Sequence, residues 1–186
     1  MTRTSYAANV DAVWSWWTAL QPNEQRKFGG DRATLAKLRR ASTIMEAAAE
    51  PATAELFSRL GFERRHAVHA LPRVALIAAI VAHIRDDNRR DTLARAIGTP
   101  RAGEGTTALI TPLRLKRLIG AREPDDLLIG FRRAIAILGQ TANVKDVAEQ
   151  LLRWTDPDDR AADSARTIFM FDYHGASDYA PDLKSA

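Results

Sequence analysis

Thr111-Pro-Leu-Arg-Leu-Lys-Arg-Leu-Ile-Gly120-Ala-Arg-Glu-Pro124-Asp-Asp-Leu-Leu-Ile-Gly-Phe-Arg-Arg-Ala-Ile-Ala-Ile-Leu-Gly139 decides the fold. Thr111-Pro112 reads as an N-cap followed by a proline at the first helical position, where a missing N–H costs nothing. Gly120 stops that helix. Pro124 opens the next, with Asp125 and Asp126 set against the positive end of its dipole, and Gly139 closes it. In the first of the pair, Leu113, Leu115, Leu118 and Ile119 take one half of the circumference, and Arg114, Lys116 and Arg117 take the other. In the second, Leu127, Leu128, Phe131, Ile135 and Leu138 surround the axis, and Arg132-Arg133 is the main polar interruption. An internal salt bridge and a phosphate contact explain that arginine pair equally well.

The same punctuation continues outward. Residues near 6–20 form an opening helix with Val10, Val13, Trp16, Trp17 and Leu20 on one face. Trp14, Trp16 and Trp17 suggest base stacking, but the shared face with Val13 and Leu20 favours packing in the core or against a subunit. Asp31 is a good N-cap for a second helix over 31–41, after the breakers Gly29 and Gly30. There Leu35, Leu38 and Met45 share a face, while Arg32, Lys37, Arg39 and Arg40 spread over the rest. Further helices are predicted from near Pro51 to Gly61, from about Pro72 to Ile84, and over Thr92–Ile97. Asn143 caps one running through Trp154, and Asp156-Pro157 starts the last, which ends near Gly175. No segment alternates with strand period. The expected class is all-α, a two-lobed helical bundle protein: an N-terminal lobe (1–97), a linker with three glycines and a proline (98–110), a C-terminal bundle (111–175) and a flexible tail (176–186).

Charge separates along this architecture. Residues 1–145 carry 23 basic and 14 acidic side chains, whereas residues 146–186 carry 4 and 9. From Arg26 to Arg40 there are six basic residues (Arg26, Lys27, Arg32, Lys37, Arg39, Arg40) and one acid, Asp31. A solvated helix face would interleave glutamates for i,i+4 pairing, so this excess points to a polyanion. Arginine outnumbers lysine 22 to 5; high genomic GC content explains that bias as well as function does, though arginine is the better residue for forked phosphate contacts. The absence of cysteine excludes disulfides and thiolate metal sites and fits a reducing cytoplasm. The longest apolar run, Val74–Ala82, is far short of the roughly 20 residues of a membrane span, so no membrane association is expected.

Enzyme signatures fail on inspection. His66-x-x-His69 has one-turn spacing but no third ligand, and reads as a surface pair. A nuclease-like string, Pro157-Asp158 … Asp182-x-Lys184, has its second half in a Pro/Ser tail rather than on a strand. There is no glycine-rich phosphate loop with lysine, no His-Glu-x-x-His and no nucleophile elbow. Neither a catalytic residue, a cofactor nor a metal is expected.

The order of the motifs carries the reading further. Trp16-Trp17-x-x-Leu20, then Asp31-Arg32-Ala-x-Leu35-x-x-Leu38-Arg39-Arg40-Ala41, resembles the N-terminal half of the CasB family, the small subunit of the type I-E CRISPR Cascade complex. Arg114-Leu-Lys-Arg-Leu-Ile119 is similar to its C-terminal basic helix and Leu128-x-x-Phe-Arg132-Arg133 to its arginine-pair helix. Asn143-Val144 … Leu151-Leu152-x-Trp154 and Phe171-x-Tyr173 resemble its closing segments. The resemblance implies a non-catalytic cytoplasmic subunit that contacts guide RNA (crRNA), target DNA and the displaced DNA strand. Its partners would be other Cascade subunits and a second copy of itself. Arg39, Arg40, Arg114 and Arg133 match the family's basic positions; Arg32, Lys37, Lys116, Arg117 and Arg132 join them from helix geometry. The alternative from another class is a stand-alone helical DNA-binding regulator. It would need a tight two-helix motif, and these cations sit on separated helices.

Overall fold

Val74–Ala82, with no charged residue to interrupt it, can be stable in water only as the centre of something, and it lies at the core of the molecule. The computed structural model describes residues 3–22, 27, 29–100 and 107–178. Among these are ten α-helices and one pair of two-residue strands: α1 (Arg3–Leu20), α2 (Arg32–Arg40), α3 (Ile44–Ala48), α4 (Pro51–Arg59), α5 (Ala67–Val81), β1 (Asp86–Asp87), α6 (Leu93–Gly98), α7 (Pro112–Gly120), α8 (Pro124–Ile137), β2 (Thr141–Ala142), α9 (Val144–Trp154) and α10 (Asp159–Asp178). The protein is all-α. Helix α5 packs against α3, α4, α8 and α9; α1 lies on α9, and α10 lies on α6 and α9.

The sequence signals act where they were placed. Asp31 accepts the Thr34 N–H at 3.0 Å, Thr92 accepts from Arg95, and Asn143 accepts from Asp146, each closing an orphan donor at a helix start. Pro112 and Pro124 occupy the first turns of α7 and α8. Gly139 stands just past α8 with φ +68°, a left-handed position where glycine is unstrained. The α1 face of Val10, Val13, Trp16, Trp17 and Leu20 is buried. Trp16 and Trp17 therefore pack in the core.

Four expectations are corrected. Helix α5 begins at Ala67 rather than near Pro72, and Pro72 sits inside it. The carbonyl that Pro72 cannot serve belongs to Val68, which is 79% exposed, so water can take it. Met45 does not extend the Leu35/Leu38 face, because α2 ends at Arg40 and Met45 lies exposed on the separate helix α3. That short helix is tied to α8, where Asp125 Oδ1 accepts the Ile44 N–H at 2.7 Å. On α7 only Leu115 and Leu118 are buried; Leu113 is exposed. Finally, the polar stretch after α5 contains β1, which pairs in parallel with β2 through Asp86–Thr141 and Asp87–Ala142.

Connection 98–110 turns back on itself at its ends: Pro100 bridges Ala108, and the Ile110 N–H donates to Ile97 O at 3.1 Å. Residues 101–106, Arg26 and the tail from 179 onward, including Asp182 and Lys184, lie outside the described residues. Helix α10 itself runs past Gly175 to Asp178.

Candidate nucleic-acid interface

Helices α7 and α8 meet at a glycine. A β-carbon on Gly130 would stand 2.6 Å from Leu118 Cδ1, so a side chain there would make the end of Leu118 turn aside. The two helices enclose an open groove of about 880 Å³. Arg114 and Arg117 of α7 and Arg133 of α8 line it together, over apolar walls that include Ile129 and Ile137. Its one acidic lining residue is Asp126. The three arginines are exposed, and none forms an ion pair among the described residues. Three guanidinium groups against one carboxylate in a single concavity suit a phosphate backbone: they offer forked donors and a net positive charge. Lys116, also exposed on α7, is not among the residues lining the groove.

The other arginines divide by what they touch. Arg132 is half-buried and donates from Nη1 to Ala41 O at 2.7 Å and from Nη2 to Leu38 O at 3.1 Å, which closes the C-terminal end of α2. Arg39 is half-buried too, and its Nε donates to Ala82 O at 2.6 Å at the end of α5. Cationic side chains suit helix C-termini, where carbonyls lack partners and the dipole is negative. Between these arginines stands His83. Burial, then Arg132, then Arg39 push its pKa down to about 4, and its Nε2 is buried without a hydrogen-bond partner among the described residues. Arg39 and Arg132 thus join α2, α5 and α8. Arg32 and Arg40 are exposed on α2, while Lys37 pairs with Glu50 at 3.5 Å. The α2 cations are not part of the α7–α8 groove.

The remaining tryptophan of the α1 cluster is occupied. Trp14 donates from Nε1 to Asp87 at 3.0 Å, Arg89 lies 4.8 Å from its ring centroid and Lys145 lies 5.2 Å away. These contacts join α1 to β1 and α9, so Trp14 has a structural role. His66 accepts the Glu63 N–H at its Nδ1, as part of the 3₁₀ turn over 64–66 that leads into α5. No group of three His, Asp or Glu among the described residues could hold a metal, and no helix among them is long and apolar enough to cross a membrane.

Sequence reasoning missed a second cavity, of about 510 Å³, lined by Arg73, Arg122, Trp154 and Arg166 among others. The signal was present on α10. Ala162, Ala165, Phe169 and Tyr173 form its buried stripe, and Arg166 falls on that stripe at helical spacing. A charged residue there must find partners inside the protein.

A family model described as CRISPR-associated protein Cse2 matches residues 34–174, about three-quarters of the chain. The match runs from the first turn of α2 to the last turns of α10 and takes in every candidate contact residue except Arg32. No curated protein and no solved structure matches the chain.

Proposed function

The chain belongs to the CRISPR-associated protein Cse2 family, the small subunit of the type I-E Cascade complex, and from that premise we propose that the α7–α8 groove holds nucleic-acid backbone within the assembled complex. The observation that carries this reading is the convergence of Arg114, Arg117 and Arg133, without ion-pair partners among the described residues, on one concave surface. In RNA-guided recognition, base pairing reads sequence and protein holds backbone by charge and shape. Three guanidinium groups over apolar walls do the second task and none of the first, so the groove stabilises guide RNA, target DNA or the displaced strand whatever their sequence. The exposed cations Arg32, Arg40 and Lys116 extend this field, while Arg39 and Arg132 serve it by fixing α2 and α8. In this reading the subunit acts in the cytoplasm without catalysis, pairs with a second copy, and leaves cutting to another protein. We place the boundary between its two lobes at 98–110, with the packing of α6 on α10, α1 on α9, and α5 on α8 and α9 joining them.

The test replaces Arg114, Arg117 and Arg133 together by glutamate and asks for assembly, then for R-loop formation across salt. Assembly is expected to persist. The log–log salt dependence should flatten by about 3, one for each phosphate that the groove no longer neutralises. An assembled variant that forms R-loops with unchanged affinity and salt slope overturns the reading.

A further inference from the structure

The aromatic close of the chain, Phe171-x-Tyr173, splits across α10. Tyr173 is buried and its hydroxyl donates to Ile110 O, whereas Phe171 is 74% exposed. Ile168, one turn earlier, is 56% exposed. These two side chains are i,i+3 neighbours on the side opposite the buried stripe of Ala162, Ala165, Phe169 and Tyr173. Ser164 and Thr167 complete the outer face without making it polar. Ser164 Oγ donates to Arg160 O at 2.8 Å and Thr167 Oγ1 to Asp163 O at 2.9 Å, so both hydroxyls are turned back on their own helix. The outer side of a surface helix normally carries charge, and an apolar ridge in its place marks a contact surface.

Charge indicates what covers it. Between 159 and 175 the charged side chains that reach solvent are Asp159, Asp163 and Asp172 against Arg160, and residues 146–186 as a whole carry 9 acids and 4 bases. Nucleic acid is repelled from such a surface, whereas a protein groove with apolar walls and a basic rim is attracted to it. The α7–α8 groove has that chemistry: Ile129 and Ile137 stand in its walls, with Arg114, Arg117 and Arg133 around them. An amphipathic helix enters such a groove by anchors one turn apart, as Ile168 and Phe171 are. The chain's own groove is out of reach, because α6 and α9 hold α10 by its other side.

We propose that, in the free chain, the α10 ridge of one copy docks in the α7–α8 groove of another, so that self-association and nucleic-acid backbone compete for the same three arginines. This regulation rests on the reading of the groove as a backbone site. The contact belongs to the free subunit: in the assembled complex backbone fills the groove and the ridge is released. Two anchoring side chains make a small interface, so the association is weak and reversible. Free copies then hold stray nucleic acid less tightly than an open groove would, because only the undocked fraction is competent to bind.

The experiment is sedimentation velocity on the full chain over a series of concentrations, with and without a short single-stranded oligonucleotide. The parent should self-associate, and saturating oligonucleotide should return it to single copies. Phe171→Lys lies outside the core and sets a cation against the basic groove; it should melt with the parent and weaken self-association at least about tenfold. The triple variant Arg114→Glu, Arg117→Glu, Arg133→Glu should lose self-association as well. Mixed together, the two variants should pair, because one keeps the groove and the other keeps the ridge. A parent that stays a single copy at every concentration overturns the proposal and leaves the ridge to a different protein. Self-association that survives either variant, a mixture that fails to pair, or oligonucleotide that binds without dissociating the parent overturns it too. The reading of the groove fails separately, if the triple variant binds the oligonucleotide as the parent does.

Discussion

Arg39 and Arg40 are adjacent in sequence, equal in charge, and opposite in what their loss should do. Replacing each by methionine keeps the aliphatic stem and removes the guanidinium. At Arg39 the substitution deletes the Nε–H bond to Ala82 O, 2.6 Å long, at the end of the buried helix α5. A hydrogen bond from a charged donor contributes about 1.5–3 kcal/mol, and the carbonyl left behind lies beneath α2 with no replacement donor. Some of that is returned, because burial and the neighbouring Arg85 already disfavour the charged form of Arg39. A net loss of about 2 kcal/mol would lower the melting temperature by about 4–8 °C in a chain of this size. At Arg40, which is exposed and has no ion-pair partner among the described residues, stability should change by less than about 0.5 kcal/mol.

A second readout fixes the cause. Arg39 is one of the charges holding the His83 pKa down, after burial and Arg132. In Arg39→Met the His83 pKa should rise from about 4 toward its ordinary value, though burial and Arg132 remain; in Arg40→Met it should not move. Thermal melts and imidazole titration by NMR on both variants, beside a gel shift, complete the assay. Arg40→Met should weaken nucleic-acid binding while melting like the parent. If Arg39→Met melts with the parent and His83 titrates unchanged, the guanidinium does not close α5, and the division of the arginine pair is wrong.

Two glycines should respond in opposite ways to alanine. At Gly98, the last residue of α6, a β-carbon would meet Tyr173 O at 2.3 Å and Tyr173 C at 3.0 Å; because backbone must move, a loss of about 3 kcal/mol is expected, or about 6–12 °C in melting temperature. Gly175→Ala, inside α10 with nothing within 4 Å of the added carbon, should instead stabilise by about 0.5–1 kcal/mol; equal melting of the two variants would refute the close approach of α6 to α10. A third prediction concerns Asp146, whose carboxylate accepts the Leu93 N–H at 2.6 Å and whose pKa burial pushes up to about 6. Between its ordinary value of 3.8 and about 6 the folded chain holds the proton more tightly than the unfolded one. Its contribution is therefore complete below 3.8 and lost as pH rises through 6. Asp146→Asn, which can still accept from Leu93, should be more stable than the parent at pH about 7.5 and equal to it below pH about 4; urea unfolding at both values checks this, and a variant that loses stability on going to the higher pH relative to the parent contradicts it.

What could be read from the sequence follows a physical line between local and non-local causes. Caps, first-turn prolines and glycine stops act within one helical turn, so Asp31, Pro112, Asn143 and Gly139 announce their elements unaided. The helix over 67–81 begins five residues before the proline that reads as its start, because that proline's cost depends on whether Val68 faces water. The two-residue strands carry no periodicity at all; they exist because α5 and α8 end side by side. The basic residues show the same divide. Helix geometry placed Arg32, Arg39, Arg40, Arg132 and Arg133 off the apolar faces, which was enough to suspect a polyanion. It could not tell Arg39 and Arg132, which reach carbonyls of other helices 43 and 91 positions away, from Arg133, which reaches none. An arginine is long enough to close a neighbouring helix or to meet a phosphate, and only the position of the neighbouring helix end decides between them. The groove cations Arg114, Arg117 and Arg133 are therefore the better carriers of the proposed function: they converge on one groove, and no carboxylate among the described residues pairs with them, so their guanidinium groups face solvent, where an external anion can reach them.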